Sequence, residues 1–234
     1  NYRFANGQRF VVISTDGFAD YNEDSLSYSA DGFAGQITGS AVNDGSNATC
    51  LGSHAGGQFL VGWAPGAQDL ELDDDVGLDM PGAGYALEIH YNAKNAGQTD
   101  ASGVRLCVTP ELREKTAATH PLGKEAFSRT GAGDVVGTCK PKGPFPITIL
   151  TSSPHMHLKG THMKTVIKRA NGTEDILIDK PFMFSNQLTY PTPATINEGD
   201  TLVTTCTFNS SASFGQGTNE EMCYHFVTAY PAGA

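Results

Sequence analysis

Two histidines separated by a single residue, His155 and His157, stand in the run Ser152-Ser-Pro-His-Met-His-Leu-Lys-Gly160. The run reads as extended chain, in which successive side chains alternate faces, so both imidazoles project to one side and Met156 to the other. Two imidazoles side by side can chelate one metal ion. A second run, Asn219-Glu-Glu-Met-Cys-Tyr-His-Phe226, contributes a thioether at Met222. Thioether sulfur is a soft donor that favours Cu(I), whereas imidazole serves both copper oxidation states. Two histidines, a methionine and an open position therefore suit an oxygen-binding copper site. If Cys223 is bridged to Cys206, the disulfide pins one face of its strand and Met222 points to the other. Closing such a loop contributes roughly 3 kcal/mol by loop-closure entropy. On the residues alone, the histidine pair also fits two surface or cross-strand imidazoles, and Met222 also fits a core methionine.

The elements that must hold these groups are strands. Extended runs punctuated by Gly, Pro, Asn and Asp dominate, and helical periodicity is almost absent. Strands are expected at 10–14, 58–62, 85–91, 103–108, 148–150, 162–168, 175–178, 201–208 and 224–230, with turns at Asn171-Gly172, Glu198-Gly199-Asp200 and Pro81-Gly82. One helical turn is expected over 110–115. That segment is also the expected domain boundary, between a Gly- and Asp-rich first part (1–110) and a second part (111–234) that carries most of the histidines. The fold class is all-β: tandem antiparallel β-sandwiches, the first abbreviated.

Composition narrows the function. A chain of 234 residues with 39% hydrophobic and 17% charged residues can bury a real core while its surface leans on Ser, Thr, Asn and Gly. The net charge of −10, with no cluster of Lys and Arg, excludes a phosphate-binding surface and hence nucleic acid or an anionic membrane as partner. The longest apolar stretches are of strand length, so no membrane span is expected. The chain opens without a signal-like segment, so any targeting peptide is expected to have been removed or to lie outside it. Asp73-Asp74-Asp75 reads as a solvated loop, with calcium as a minor alternative. Five separated cysteines without a Cys-x-x-Cys pair favour disulfides, with Cys206–Cys223 expected and Cys107–Cys139 suggested by the domain junction. Sequons at Asn47, Asn171 and Asn209 are compatible with export. A secreted location, extracellular or periplasmic, is expected.

His155-Met-His-Leu-Lys-Gly160, the stretch Gly199 to Asn209, and Glu221-Met-Cys223, in that order and spacing, resemble the second catalytic domain of the copper type II, ascorbate-dependent monooxygenases, the family of the peptidylglycine- and dopamine-hydroxylating enzymes. Upstream, Trp63-Ala-Pro-Gly-Ala67, Leu87-Glu-Ile-His-Tyr91 and Gly103-Val-Arg-Leu106 resemble the end of the first. The resemblance implies two copper sites on two jelly-roll-like β-sandwiches, separated by a solvent-filled cleft. The site matched by His155, His157 and Met222 would bind oxygen and hydroxylate a C–H bond of a small molecule or peptide. The other, for which His90 matches one ligand, would supply an electron from ascorbate.

The chain also departs from that pattern. The family's electron-supplying site uses an adjacent His-His pair, and none of the seven histidines here neighbours another. Either the upstream part lies outside this chain or that site is absent. The alternative function is therefore a secreted copper-binding β-sandwich that keeps only the His-His-Met site and does no catalysis. His54 and His120 read as loop residues. His162 is expected at the surface or behind the ligands, and His225 is expected either to face with Cys223 or to lie on the sheet surface. Ser153 stands where the peptide-amidating members place an arginine, and Phe226 where they place a tyrosine, which argues against a peptidylglycine substrate. Glu220 and Glu221 lie near Met222 as possible contacts for an amine.

Overall fold

A computed structural model describes residues 11–19, 26–30, 33–37, 58–79, 86–91, 109, 111–215 and 219–233, with side chains described from 59 to 79, at 109 and beyond 110 within those ranges. Sixteen strands and no helix occur among these residues. In chain order they are β1 (Val11–Ala19), β2 (Leu26–Ala30), β3 (Phe33–Ile37), β4 (Gln58–Phe59), β5 (Val76–Leu78), β6 (Ala86–Tyr91), β7 (Lys115–Gly123) and β8 (Ser128–Arg129). Then follow β9 (Gly133–Cys139), β10 (Ile147–His155), β11 (Gly160–Lys168), β12 (Glu174–Pro181), β13 (Tyr190–Ile196), β14 (Thr201–Phe208), β15 (Ala212–Ser213) and β16 (Tyr224–Tyr230). The all-β expectation holds.

The chain divides into two compact units, one of residues 1–64 with 77–114 and one of 65–76 with 115–234. In the first, β1 lies between β4 and β6 and pairs with both in parallel, while β2 and β3 form an antiparallel pair. The parallel ladders depart from the wholly antiparallel arrangement expected, and the long connections from β1 to β4 and from β4 to β6 are what make such crossovers possible.

The second unit is a two-layer antiparallel sandwich. One of its sheets runs β13–β10–β16–β7 and the other β12–β11–β14–β9. Its main core joins Leu122, Ile147, Ile149, Val227 and Ala229 from the first sheet to Ile167, Leu177 and Leu202 from the second. Each Leu, Ile or Val among them contributes about 1.5–3 kcal/mol on full burial. Strand β14 shows why its sequence is legible: Leu202, Thr204, Cys206 and Phe208 are buried in strict alternation with their neighbours. A second apolar cluster, with Val135, Met156, Met163, Cys206, Phe208 and Cys223, fills the end of the sandwich nearest the histidine pair. There the Cys206–Cys223 disulfide forms as expected and ties β14 of one sheet to the residue just before β16 of the other.

Several expectations are corrected. The helical turn over 110–115 is not formed among its described residues; Leu112 is 86% exposed, so the segment has no apolar face to bury, and Lys115 already belongs to β7. Strands β2, β3, β5, β7, β8, β9, β13 and β15 go beyond the strands expected from sequence. Strand β13 carries Pro191 and Pro193, which cannot donate to a ladder, and it is tolerated because it is the sheet's edge. Cys139 is a free thiol packed against the main core, so the suggested Cys107–Cys139 bridge is not made; Cys107 itself lies outside the described residues, as do Cys50, His54, Asn47 and the strand expected at 103–108. Asp75 pairs with Lys115, which holds its carboxyl below the ordinary carboxylate range, so this carboxylate faces a lysine where a calcium ion had been the alternative. No helix among the described residues is long and apolar enough to cross a membrane.

Candidate metal centre

Strand β10 ends at His155, yet the alternation of its side chains continues two residues further. Met156 is fully buried and joins the apolar cluster at the sandwich end. His155 and His157 come together away from it, with ring centroids 5.4 Å apart and planes at 82°. The chain then reverses, the Gly160 N–H donating to the His157 carbonyl at 3.2 Å. A Cβ on Gly160 would lie 2.6 Å from the Cβ of Met156 and 2.9 Å from its sulfur, so only glycine lets the chain turn back over the buried methionine.

Hydrogen bonds decide which ring nitrogen is presented. His155 Nδ1 lies 2.9 Å from Gln187 Oε1, and the Gln187 amide is oriented by its own Nε2 donating to the Phe184 carbonyl at 3.0 Å. An amide oxygen only accepts, so Nδ1 carries the hydrogen and the lone pair of the neutral ring sits on Nε2. His157 Nδ1 lies 3.1 Å from the Glu220 carbonyl, with the same consequence. Phe226, at 6.1 Å from His155, and Phe184, edge-on at 6.1 Å from His157, supply apolar walls. Ring orientation is thus set by acceptors behind each imidazole, the arrangement that characterises metal-binding histidines.

The third candidate donor is held by its neighbours in the chain. Glu221 is fully buried, and its two carboxylate oxygens accept the N–H groups of His157 at 2.9 Å and Lys159 at 2.6 Å. Burial holds this carboxyl above the ordinary range, against the lowering pull of those donors. Met222 follows, 3% exposed and a member of neither apolar cluster, and Cys223 follows it into the disulfide. The methionine is therefore suspended between a carboxylate that grips the His157 backbone and a covalent link to β14. Among the described residues no three His, Cys, Asp or Glu side chains gather into a cluster that could hold a metal ion. Two imidazoles with their lone pairs on Nε2 and a thioether are, by donor chemistry, a set of the kind copper accepts.

The remaining candidates separate. His90 falls on β6 in the first unit, its side chain outside the described residues. His162 is carried by the turn onto β11 and meets Asp179 at 2.9 Å, half-exposed, so it is a surface residue. His225 takes the interior of its two alternatives, fully buried with Nδ1 2.8 Å from the Thr165 hydroxyl. His120 is partly buried, which lowers its pKa. Ser153, in the arginine's place, pairs its hydroxyl with Thr189 at 2.8 Å. Glu221 is engaged with backbone, which removes it as a contact for an amine. Sequence reasoning missed Gln187 altogether, since a lone glutamine in a loop carries no signal. Glu221 was expected as part of a motif and as a contact for an amine, and its backbone-holding role went unseen, although a charged residue directly before a Met-Cys pair was the available clue.

Residues 122–234 match the family model described as the C-terminal domain of the copper type II ascorbate-dependent monooxygenases. The chain is 31% identical over 199 residues to dopamine beta-hydroxylase of Canis lupus familiaris and 30% identical over the same length to that of Homo sapiens, each match covering 74% of this chain and 32% of the relative. It is 31% identical over 202 residues to DBH-like monooxygenase protein 2 of Mus musculus, again over 74% of this chain and 32% of the relative. The matches thus span about a third of the length of these relatives. With the model match falling on the unit that carries the histidine pair, Glu221 and the disulfide, the chain belongs to the copper type II, ascorbate-dependent monooxygenase family and bears that family's C-terminal domain over residues 122–234.

Proposed function

We propose that His155, His157 and Met222 hold one copper ion and that this unit is the oxygen-using half of a secreted monooxygenase, which hydroxylates a C–H bond of a small molecule or peptide at the expense of ascorbate. The observation that supports the reading is the pair of Nδ1 contacts, to Gln187 Oε1 and to the Glu220 carbonyl, which put the lone pair of each neutral ring on Nε2, the tautomer that ligation through Nε2 requires. When bound, copper supplies one-electron redox chemistry and a place for oxygen. Overall, one oxygen atom enters the C–H bond and the other leaves as water, with two electrons from the reductant and two protons from solvent. The first part of the chain, with His90, is assigned to the electron-supplying side.

The chain's own groups do the rest. Gln187 and the Glu220 carbonyl keep the imidazoles in one tautomer, so ligation needs no proton shift. Glu221 and the disulfide hold the thioether segment against the histidine segment. Phe184 and Phe226 restrict water beside the rings, which protects a reactive site from side reactions. The described surroundings of His155 present hydroxyls and aromatic rings, with Ser153 on Thr189 and Phe226 tilted against Tyr224 at 5.6 Å. A neutral or aromatic substrate suits them better than a free carboxylate, which a peptidylglycine would bring.

Copper stoichiometry and oxygen uptake test the reading. Two coppers per chain with ascorbate-dependent oxygen consumption support the monooxygenase. One copper, no oxygen uptake and unchanged binding after His90→Ala would leave a copper-binding protein without catalysis.

A further inference from the structure

The segment Trp63-Ala-Pro-Gly-Ala67 is far from the histidines in sequence, yet part of it belongs to the second unit and meets the loop that orients His155. The Pro65 carbonyl accepts the backbone N–H of Gln187 at 2.7 Å. Next to it, Gly66 adopts φ +90°, and a Cβ there would lie 2.8 Å from the Cα of Asn186 and 2.5 Å from its Oδ1. That is too close for any other residue, and the backbone angle itself disfavours one. Asn186 in turn donates its N–H to the Met183 carbonyl at 2.9 Å, closing the turn from which Gln187 emerges. Gln187 is 5% exposed and fully engaged: its backbone N–H on Pro65, its amide nitrogen on Phe184 and its amide oxygen against His155.

We propose that Gly66 is a positioning residue for the His155 imidazole. Without a side chain, it lets the Pro65 carbonyl seat on Gln187, whose oxygen then holds the hydrogen on His155 Nδ1 and so keeps the ring's lone pair on Nε2. The proposal rests on the reading of His155 as a copper ligand only for its functional consequence. The positioning itself is a property of the metal-free chain.

The test is a double-mutant cycle of wild type, Gly66→Ala, Gln187→Leu and the double variant, each read in two ways. Long-range ¹H–¹⁵N spectra of the metal-free protein report the His155 tautomer. Competition with a chromophoric Cu(I) chelator reports affinity. Wild type should show hydrogen on Nδ1, and both single variants should lose that preference. Gln187→Leu should weaken Cu(I) binding about 10- to 100-fold, the range for groups that orient a ligand. Gly66→Ala should weaken it about 10-fold, and should add nothing in the Gln187→Leu background, because the two act along one path. An unchanged tautomer in Gly66→Ala, or losses that simply add, would overturn the proposal. Should Gly66→Ala not fold, the same spectra and competition are read for Gly66→Ala combined with Asn186→Gly, which removes the side-chain oxygen nearest the new Cβ, and an Nδ1–H tautomer retained there would overturn the proposal. A wild type that shows the Nδ1–H tautomer but binds no copper would sink the monooxygenase reading and leave the positioning role standing.

Discussion

His155 and His225 are near neighbours on paired strands, since His225 lies opposite Pro154 in the ladder between β10 and β16. Both are buried, and their surroundings differ in kind. His155 and His157 rest Nδ1 on carbonyl oxygens, which only accept and so settle the tautomer. His225 rests Nδ1 on the Thr165 hydroxyl, itself 2.9 Å from the hydroxyl of Thr204, and hydroxyls both donate and accept. Its Nε2 finds no hydrogen-bond partner among the described residues. Burial pushes its pKa down to about 3. The first pair combines a fixed tautomer with a buried thioether on a neighbouring segment, the features on which the proposed copper site rests. The second is a neutral cross-link between two sheets. Burial of an imidazole therefore says little about metal binding; the atoms behind the ring say more.

The sharpest way to break this contrast is to remove the soft donor. Met222→Ile should lower Cu(I) affinity by on the order of 100-fold and abolish ascorbate-dependent oxygen uptake, while two imidazoles still bind Cu(II) weakly. Unchanged Cu(I) affinity in a chelator competition would remove Met222 from the site.

Glu221→Gln comes next in size. An amide offers one acceptor where the carboxylate offers two, and turns a donor towards a backbone N–H. A loss of about 2–3 kcal/mol in denaturant unfolding is expected, with weaker copper binding alongside it. Full stability would show that the two short contacts to His157 and Lys159 are dispensable.

Acid separates the two kinds of histidine more gently. Because His225 has a folded pKa near 3 against an ordinary value of 6.5, the unfolded chain binds the extra proton between those limits. Stability therefore rises with pH across that window and is lost as pH falls from 6.5 towards 3, by about 1.4 kcal/mol for each pH unit well inside it. The lowered His120 acts in the same direction. Urea unfolding of the metal-free protein at several pH values should show this slope, and His225→Leu should flatten it. A slope that survives the substitution would assign it to other groups.

The smallest effect is expected at His162, whose contact to Asp179 lies at the surface. His162→Gln should change stability by less than about 0.5 kcal/mol and leave copper affinity untouched. A larger loss of copper binding would bring this residue back towards the site.

Much of this was legible beforehand where the signal is local. Strands β14 and β16 begin and end where alternation and turn residues place them, at Thr201–Phe208 and Tyr224–Tyr230. The turn at Asn171-Gly172 forms, with Gly172 at φ +88°. Strand β7 escaped notice because His120-Pro121-Leu122-Gly123 reads as loop, and β13 because its prolines are acceptable only at a sheet edge, which is a fact of topology. His155 and His157 share a face because of period-two geometry, so their pairing was also within reach of sequence.

What the sequence determined by itself is the all-β class, the alternation that brings His155 and His157 side by side with Met156 turned inward, and the adjacency of Glu221, Met222 and Cys223. Those follow from neighbours one or two residues apart and from strand periodicity. Only the tertiary structure decided that Gln187, 32 residues from His155, would fix its tautomer. It likewise decided that Glu221, 64 residues from His157, would grip its backbone, and that Gly66 would leave room for Pro65 to meet Gln187. Such contacts arise when strands far apart in the chain close into one sandwich. No local periodicity encodes which side chains that closure brings together.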